Sequence, residues 1–164
     1  MVNSQSQVLI STGQRVNLSS EIDLTDSLTV LHFYDPTCVL ARDNIEHLKV
    51  LVDRYEGRKV RWFIVHAHEV DFQLHQRKLG FEAEWVEDFD RKLATALGVI
   101  NTPKLVILDD QKLYYRGTYS KNGALCGADN IESSDAGLAY SSSVKGNQLP
   151  LFLKETGSYV GCAL

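Results

Sequence analysis

The stretch from Thr29 to Leu40, TVLHFYDPTCVL, constrains this chain more than any other. A continuous apolar run, Thr29–Tyr34, stops at Asp35-Pro36, and Cys38 follows at the mouth of a helical pattern. The run is too short for a globular helix and carries β-branched and aromatic residues, so it reads as a strand buried on both faces. The turn then delivers Cys38 to a helix N-terminus, where unpaired N–H groups and the macrodipole favour a negative charge. A thiol there falls from a pKa of about 8.5 to roughly 3.5–7.5. Strand, turn, thiol and helix together form a redox-site geometry.

Composition bounds what surrounds it. A chain of 164 residues is expected to form one domain, 1–164, burying about 70% of the surface its unfolded form exposes. The 44% apolar and 23% charged content is ordinary for a globular protein. A net charge of −4 leaves no electrostatic footprint for nucleic acid or an anionic membrane. No apolar run approaches the ~20 residues that span a bilayer. The start, MVNSQSQVLI, has neither a basic nor an apolar leader region, so no signal peptide is expected. Met1 is the only methionine, which is also how a trimmed exported protein with an added start would look. A periplasmic or membrane-anchored setting with the anchor removed is therefore favoured over a cytoplasmic one.

Val8–Ile10 and Arg15–Leu18 flank Ser11-Thr12-Gly13-Gln14 as a short hairpin, and Ser19–Ser27 reads as linker. After the central strand, Ile45, Leu48, Leu51, Val52 and Tyr55 recur at helical spacing up to Gly57. Val60–Val65 is a second buried strand, followed by His66-Ala67-His68. Glu69–Leu79 reads as a helix stopped by Gly80, and Asp88 caps another that runs to Gly98. The acidic run Glu82–Asp90 reads as a solvated face plus that cap. Asn101-Thr102-Pro103 precedes a hairpin, Lys104–Leu108 and Lys112–Tyr119, around Asp109-Asp110-Gln111. From Ser120 glycine and serine dominate, with one weak helix around Ser134–Val144 and a last apolar run, Leu149–Leu153. The expected division is 8–27 hairpin and linker, 28–119 core and 120–164 C-terminal extension.

The order hairpin, strand, Cys-helix, strand, helix, helix, Thr-Pro, β-hairpin resembles the thioredoxin fold. In detail it is similar to the TlpA-like thiol–disulfide oxidoreductases, which add an N-terminal hairpin and an insertion before the last core helix. HFYDPTC, VRWFIV and LGVINTPKLVILD carry the resemblance, over about Val8–Tyr119. It implies an α/β three-layer sandwich with a mixed central sheet, an N-terminal hairpin and a C-terminal extension. It also implies that Pro103, after Thr102, is cis and faces the Cys38 thiol; an X–Pro bond gives up only about 0.5–1 kcal/mol to do so. The family's Trp-Cys-x-x-Cys reads here Thr37-Cys38-Val39-Leu40-Ala41, so the nucleophile is kept and the resolving cysteine is absent. The tail, with GTYSKNGALCG and a terminal GC, is also similar to an uncharacterised bacterial group of thioredoxin-like proteins.

A one-unit drop in thiol pKa corresponds to about 1.4 kcal/mol, and a helix terminus supplies about 0.3–1 kcal/mol. His66, His68 and Arg42 are the evident helpers for the remainder. If the second strand runs parallel to the first, both histidines end at the cysteine's sheet edge, although alternation sends their side chains to opposite faces. Together with Cys38 they could polarise a thiolate or hold a transition metal; no metal site and no cofactor is expected. His32 reads as core, while His47 and His75 read as solvent-facing. Asp35 reads as a turn residue, and Tyr114, Tyr115, Tyr119 and Tyr140 read as packed rings with wet hydroxyls.

The three cysteines, Cys38, Cys126 and Cys162, form no metal-type pair, and three unrelated buried thiols is the plain alternative. All three pairings are open to them. Cys126–Cys162 is favoured as a structural bond tying down the tail, ahead of Cys38–Cys126 as a redox pair. The leading expectation is a thiol–disulfide oxidoreductase with Cys38 as its single motif nucleophile, Thr102 and Pro103 opposite it, and resolution by a tail cysteine (Cys126 first) or an external thiol. Its partners would be protein or small-molecule thiols and disulfides, with no nucleic acid. The alternative is a redox-inert binding module. A peroxidase-like thiol is disfavoured, because Pro36-Thr37-Cys38 are contiguous whereas peroxiredoxins space these residues apart.

Overall fold

The computed structural model describes residues 10–16, 18, 28–38, 45, 48–53, 58–117, 135–150, 153 and 162–163, with Phe72, Cys162 and Ala163 described by their backbone. Strand β1, Leu28–Phe33, is buried along its whole length. It pairs in parallel with β2, Val60–His66, and antiparallel with β5, Lys104–Asp109. Strand β3, Glu84–Glu87, adds in parallel to β2, and β6, Lys112–Gly117, adds antiparallel to β5. The resulting order is β3-β2-β1-β5-β6. Strands β1, β2 and β3 therefore end at the edge where β5 begins, with Phe33 opposite both Val65 and Lys104.

Alternation along the strands splits the core in two. Leu28, Val30, Tyr34, Ile64, Leu105 and Ile107 share one cluster with helix α1 (residues 45 and 48–53) and α4, Asp135–Val144. Leu31, Phe33, Phe63, Val65, Val106 and Leu108 share the other with α3, Lys92–Ala96. The result is a mixed sheet between two helical layers.

The remaining helix, α2, Phe72–Leu79, is capped by the Asp71 carboxylate, which accepts from the Leu74 N–H. It ends at Gly80, whose φ of 74° is the left-handed conformation that a residue without Cβ adopts at no steric cost. Asp88 does cap α3: its two carboxylate oxygens accept from the N–H groups of Leu93 and Ala94, at 2.9 and 2.8 Å. Arg58 forks onto Asp109 through two bonds of 2.8 and 2.7 Å and donates its N–H to the Val144 carbonyl, tying the start of β2 to β5 and α4.

Several expectations need correction. Glu84–Glu87 is a strand, because pairing with β2 outweighs its acidic ends. The turn at Gly13 forms, but its following arm pairs with β6, Val16 N–H donating to Gln111 and Arg15 bridging to Lys112. The first arm before Ile10 and the linker lie outside the described residues. Tyr115 and Tyr140 are core residues, 1% and 2% exposed, instead of edge rings with wet hydroxyls. Burial pushes the Tyr140 phenol up to about 12, and its ring lies 5.2 Å from Trp62. His75 is half-buried and bonded to Tyr34. His47 and Tyr119 lie outside the described residues.

His32 is fully buried in β1, and burial pushes its pKa from 6.5 down to about 3. Between those values the unfolded chain holds a proton on this ring that the folded chain does not. Stability therefore rises with pH across that window and is lost as pH falls. Going from about pH 7 to about pH 5 should cost about 2 kcal/mol from this group. Urea unfolding at the two pH values checks it: His32→Leu should flatten the dependence by that amount, the carboxylates being common to both chains.

Candidate functional site

The turn after β1 is built by Asp35. Its Oδ1 accepts from the backbone N–H of Thr37 at 2.8 Å and from the Thr37 hydroxyl at 2.7 Å, while its carbonyl accepts from the Cys38 N–H at 3.1 Å. Three bonds from one residue set the backbone direction into Cys38, and Asp35 is spent as a turn residue. Cys38 is 2% exposed and belongs to the buried cluster of Tyr34, Ile45 and Leu48.

From the facing side, the Thr102–Pro103 peptide bond is cis, and the Thr102 carbonyl oxygen lies 3.9 Å from Cys38 Sγ. Cys38 is disulfide-bonded. A disulfide sulfur has no proton to donate, so this approach is a contact in the oxidised state and becomes a donor geometry for the reduced thiol. With three cysteines in the chain, a bond at Cys38 excludes the Cys126–Cys162 staple in the same molecule. Cys126 and Arg42 lie outside the described residues. Cys162 does not: Cys162–Ala163 form strand β7, antiparallel to β4, Asn101–Thr102, with Cys162 opposite Thr102 and Ala163 opposite Asn101. No periodicity in the glycine-rich tail signals this pair.

The histidines at the end of β2 serve a different feature. His66 is buried, its Nδ1 lies 2.8 Å from the His68 carbonyl, and its ring lies 6.0 Å from those of Trp85 and Phe89. It lines a cleft of about 890 Å³ with Glu69, Val70, Trp85, Glu87 and Phe89. His68 is exposed. Among the described residues no hydrogen bond joins either histidine to Cys38; His66 bonds within its own loop and lies against the aromatic rings of β3 and the segment after it.

Sequence reasoning missed the network behind this edge. Tyr34 Oη lies 3.1 Å from His75 Nδ1, and its ring lies 6.5 Å from Trp85. Trp85 Nε1–H donates to Gln76 Oε1 at 2.6 Å, and Gln76 Nε2–H donates to the Phe81 carbonyl at 2.6 Å. Burial, then Lys78, push the His75 pKa down, with Asp71 opposing. The available signal was parity: Tyr34 shares the face of His32, and a tryptophan inside EWVE is poor material for a solvated loop. Beyond Pro103, burial and then Arg116 push the Lys104 ammonium pKa down.

A disulfide-bonded cysteine on the turn after the central strand of a five-stranded mixed sheet, beside the cis-proline that precedes the neighbouring strand, defines a thioredoxin-like fold. Solved structures agree. A hypothetical protein from Sinorhizobium meliloti is 16% identical with a TM-score of 0.69, the match covering 94% of this chain and 93% of that one. An uncharacterised conserved protein from Geobacillus kaustophilus is 20% identical with a TM-score of 0.62, covering 93% and 90%. A secreted Mycobacterium tuberculosis disulfide oxidoreductase is 13% identical with a TM-score of 0.52, covering 73% and 84%. None of the curated proteins compared with the chain matches it. The chain belongs to the family described as a domain of unknown function, DUF6436, whose model matches residues 7–147.

Asp35→Ala removes both acceptor bonds to Thr37 and should lower the stability of the oxidised protein by about 1–3 kcal/mol in urea unfolding. Asp35→Asn keeps an Oδ1 acceptor and should recover most of that loss.

Proposed function

We propose that this protein is a thiol–disulfide oxidoreductase in which Cys38 is the exchanging sulfur and a cysteine of the C-terminal extension resolves the mixed disulfide. One observation carries the reading: Cys38 is disulfide-bonded although Ala41 stands where the same helix turn would offer a resolving cysteine. The cis-Pro103 segment beside the sulfur supports it, as does the fold shared with a structure described as a disulfide oxidoreductase. In the exchange the Cys38 thiolate attacks a partner disulfide, and a bond to one partner sulfur forms as the partner's own S–S bond breaks. The tail thiolate then attacks Cys38, releasing the second partner thiol and closing the internal bond.

A second reading draws on the 2% exposure of Cys38: a redox-inert binding module whose bond is a structural staple. Equilibration with glutathione buffers separates the two. The oxidoreductase reading expects a Cys38 couple above about −300 mV, and a staple sits below it. Under an external dithiol, reduction of a small aromatic disulfide by the full chain should fall to the uncatalysed background in Cys38→Ser. An unchanged rate in that variant would refute the exchange role.

A further inference from the structure

The edge beside Cys38 is already occupied, and by the chain itself. Asn101–Thr102 pair with Cys162–Ala163 in a two-stranded sheet separate from the main one. Directly opposed residues of an antiparallel pair lie about 4.5–5.5 Å apart at Cα. Cys162 is thus one strand spacing from Thr102, whose carbonyl lies 3.9 Å from Cys38 Sγ. The pairing puts the Cys162 backbone beside the segment that touches the Cys38 sulfur. The same edge carries two buried polar atoms, Asn101 Oδ1 and Thr102 Oγ1, with no hydrogen-bond partner among the described residues. Just before it stands Ile100, an apolar side chain that is 65% exposed.

We propose that Cys162 is the resolving cysteine of Cys38, and that Cys162–Ala163 is a built-in occupant of a strand-docking edge whose other occupant is the substrate. That substrate is a protein presenting its disulfide in an extended segment, which takes the tail's place against Asn101–Thr102. Main-chain bonds give such an edge affinity for any extended chain, and neighbouring side-chain sites give preference. Ile100 offers one apolar site, and the orphaned Asn101 and Thr102 oxygens offer acceptors to a longer strand.

The proposal rests on the exchange reading above and adds a sequence of events to it. With the Cys38–Cys162 bond closed, the tail is held covalently. An external dithiol reduces that bond, giving two thiols on this chain and a disulfide on the donor. Among the described residues the tail is then held by a two-residue ladder, and one net backbone hydrogen bond shifts an equilibrium by only about fivefold. The tail leaves and the substrate strand docks. Cys38 attacks the substrate disulfide, forming the mixed disulfide and releasing one substrate thiol. The returning tail brings Cys162 to Cys38, which releases the second substrate thiol and restores the internal bond. Two electrons pass from donor to substrate, and the tail reports completion by re-covering the edge.

The test uses the full chain, reduced, with a synthetic extended peptide whose one cysteine is a mixed disulfide with 5-thio-2-nitrobenzoate. Attack by Cys38 releases the coloured thiolate, and intact mass follows the peptide adduct. In the unmodified chain the adduct should form and then disappear, leaving a Cys38–Cys162 linkage in the peptide map. In Cys162→Ser the coloured release should persist while the adduct stays. In Ala163→Pro, which removes one tail N–H, adduct formation should speed up by about fivefold, because the competing strand is weakened. Retention of the adduct in Cys126→Ser but not in Cys162→Ser would move resolution to Cys126 and overturn the assignment. An unchanged rate in Ala163→Pro would overturn the shared edge. Failure of Cys38 to form an adduct in any chain would instead remove the exchange reading on which both rest.

Discussion

The antiparallel pairing of β5 with β1 is the constraint on which the rest of the molecule depends. Strand β1 is hydrogen-bonded on both sides and buried on both faces, so its register cannot slip without turning one whole side-chain set into the wrong core. Because Phe33 stands opposite Lys104, the residues before Lys104 lie beyond the end of β1, where the turn releases Cys38. Thr102 and the sulfur meet for that reason, although 64 positions separate them. The site is a by-product of sheet register, held by the most buried part of the protein.

The other sheet edge is treated differently. Tyr34, His75, Trp85 and Gln76 form a polar-aromatic chain that fastens α2 and β3 to the end of β1. Tyr34 is 1% exposed, and burying its hydroxyl without a partner would be costly, so His75 satisfies it from the helix. This network spends the edge's aromatic and imidazole groups on packing and leaves His66 turned to the cleft with Trp85 and Phe89. His66 Nδ1 is bonded within its own loop, to the His68 carbonyl.

Under the proposed exchange chemistry, a partner sulfur on a distant tail changes the physics of resolution. Two cysteines in one helix turn are held together by the helix whatever else happens. A tail cysteine has a high effective concentration at Cys38 only while its strand is docked, so resolution becomes conditional on a weak, reversible pairing. With Ala41 in place of a second motif cysteine, that proposal makes the tail strand the element that brings the second sulfur to Cys38.

Much of the core could be read directly. The six-residue run into Asp35-Pro36, the apolar stripe of Ile45, Leu48 and Leu51, the stop at Gly80 and the Asp88 cap all depend on local periodicity or on one side chain meeting a nearby N–H. Glu84–Glu87 escaped because an edge strand with charged ends has no strong pattern of its own, and β2 alone makes it a strand. Tyr115 and Tyr140 escaped because hydroxyls look wet until a helix and a sheet close over them.

What the sequence determined by itself was the thioredoxin-like scaffold and the position of one sulfur at the end of its central strand, since both follow from short-range hydrophobic pattern and turn chemistry. Only the tertiary structure decided which distant backbone lies beside that sulfur. Pairing between Thr102 and Cys162 is set by sheet register and by two main-chain partners, and main-chain groups are the same in every residue, so no side-chain pattern announces them.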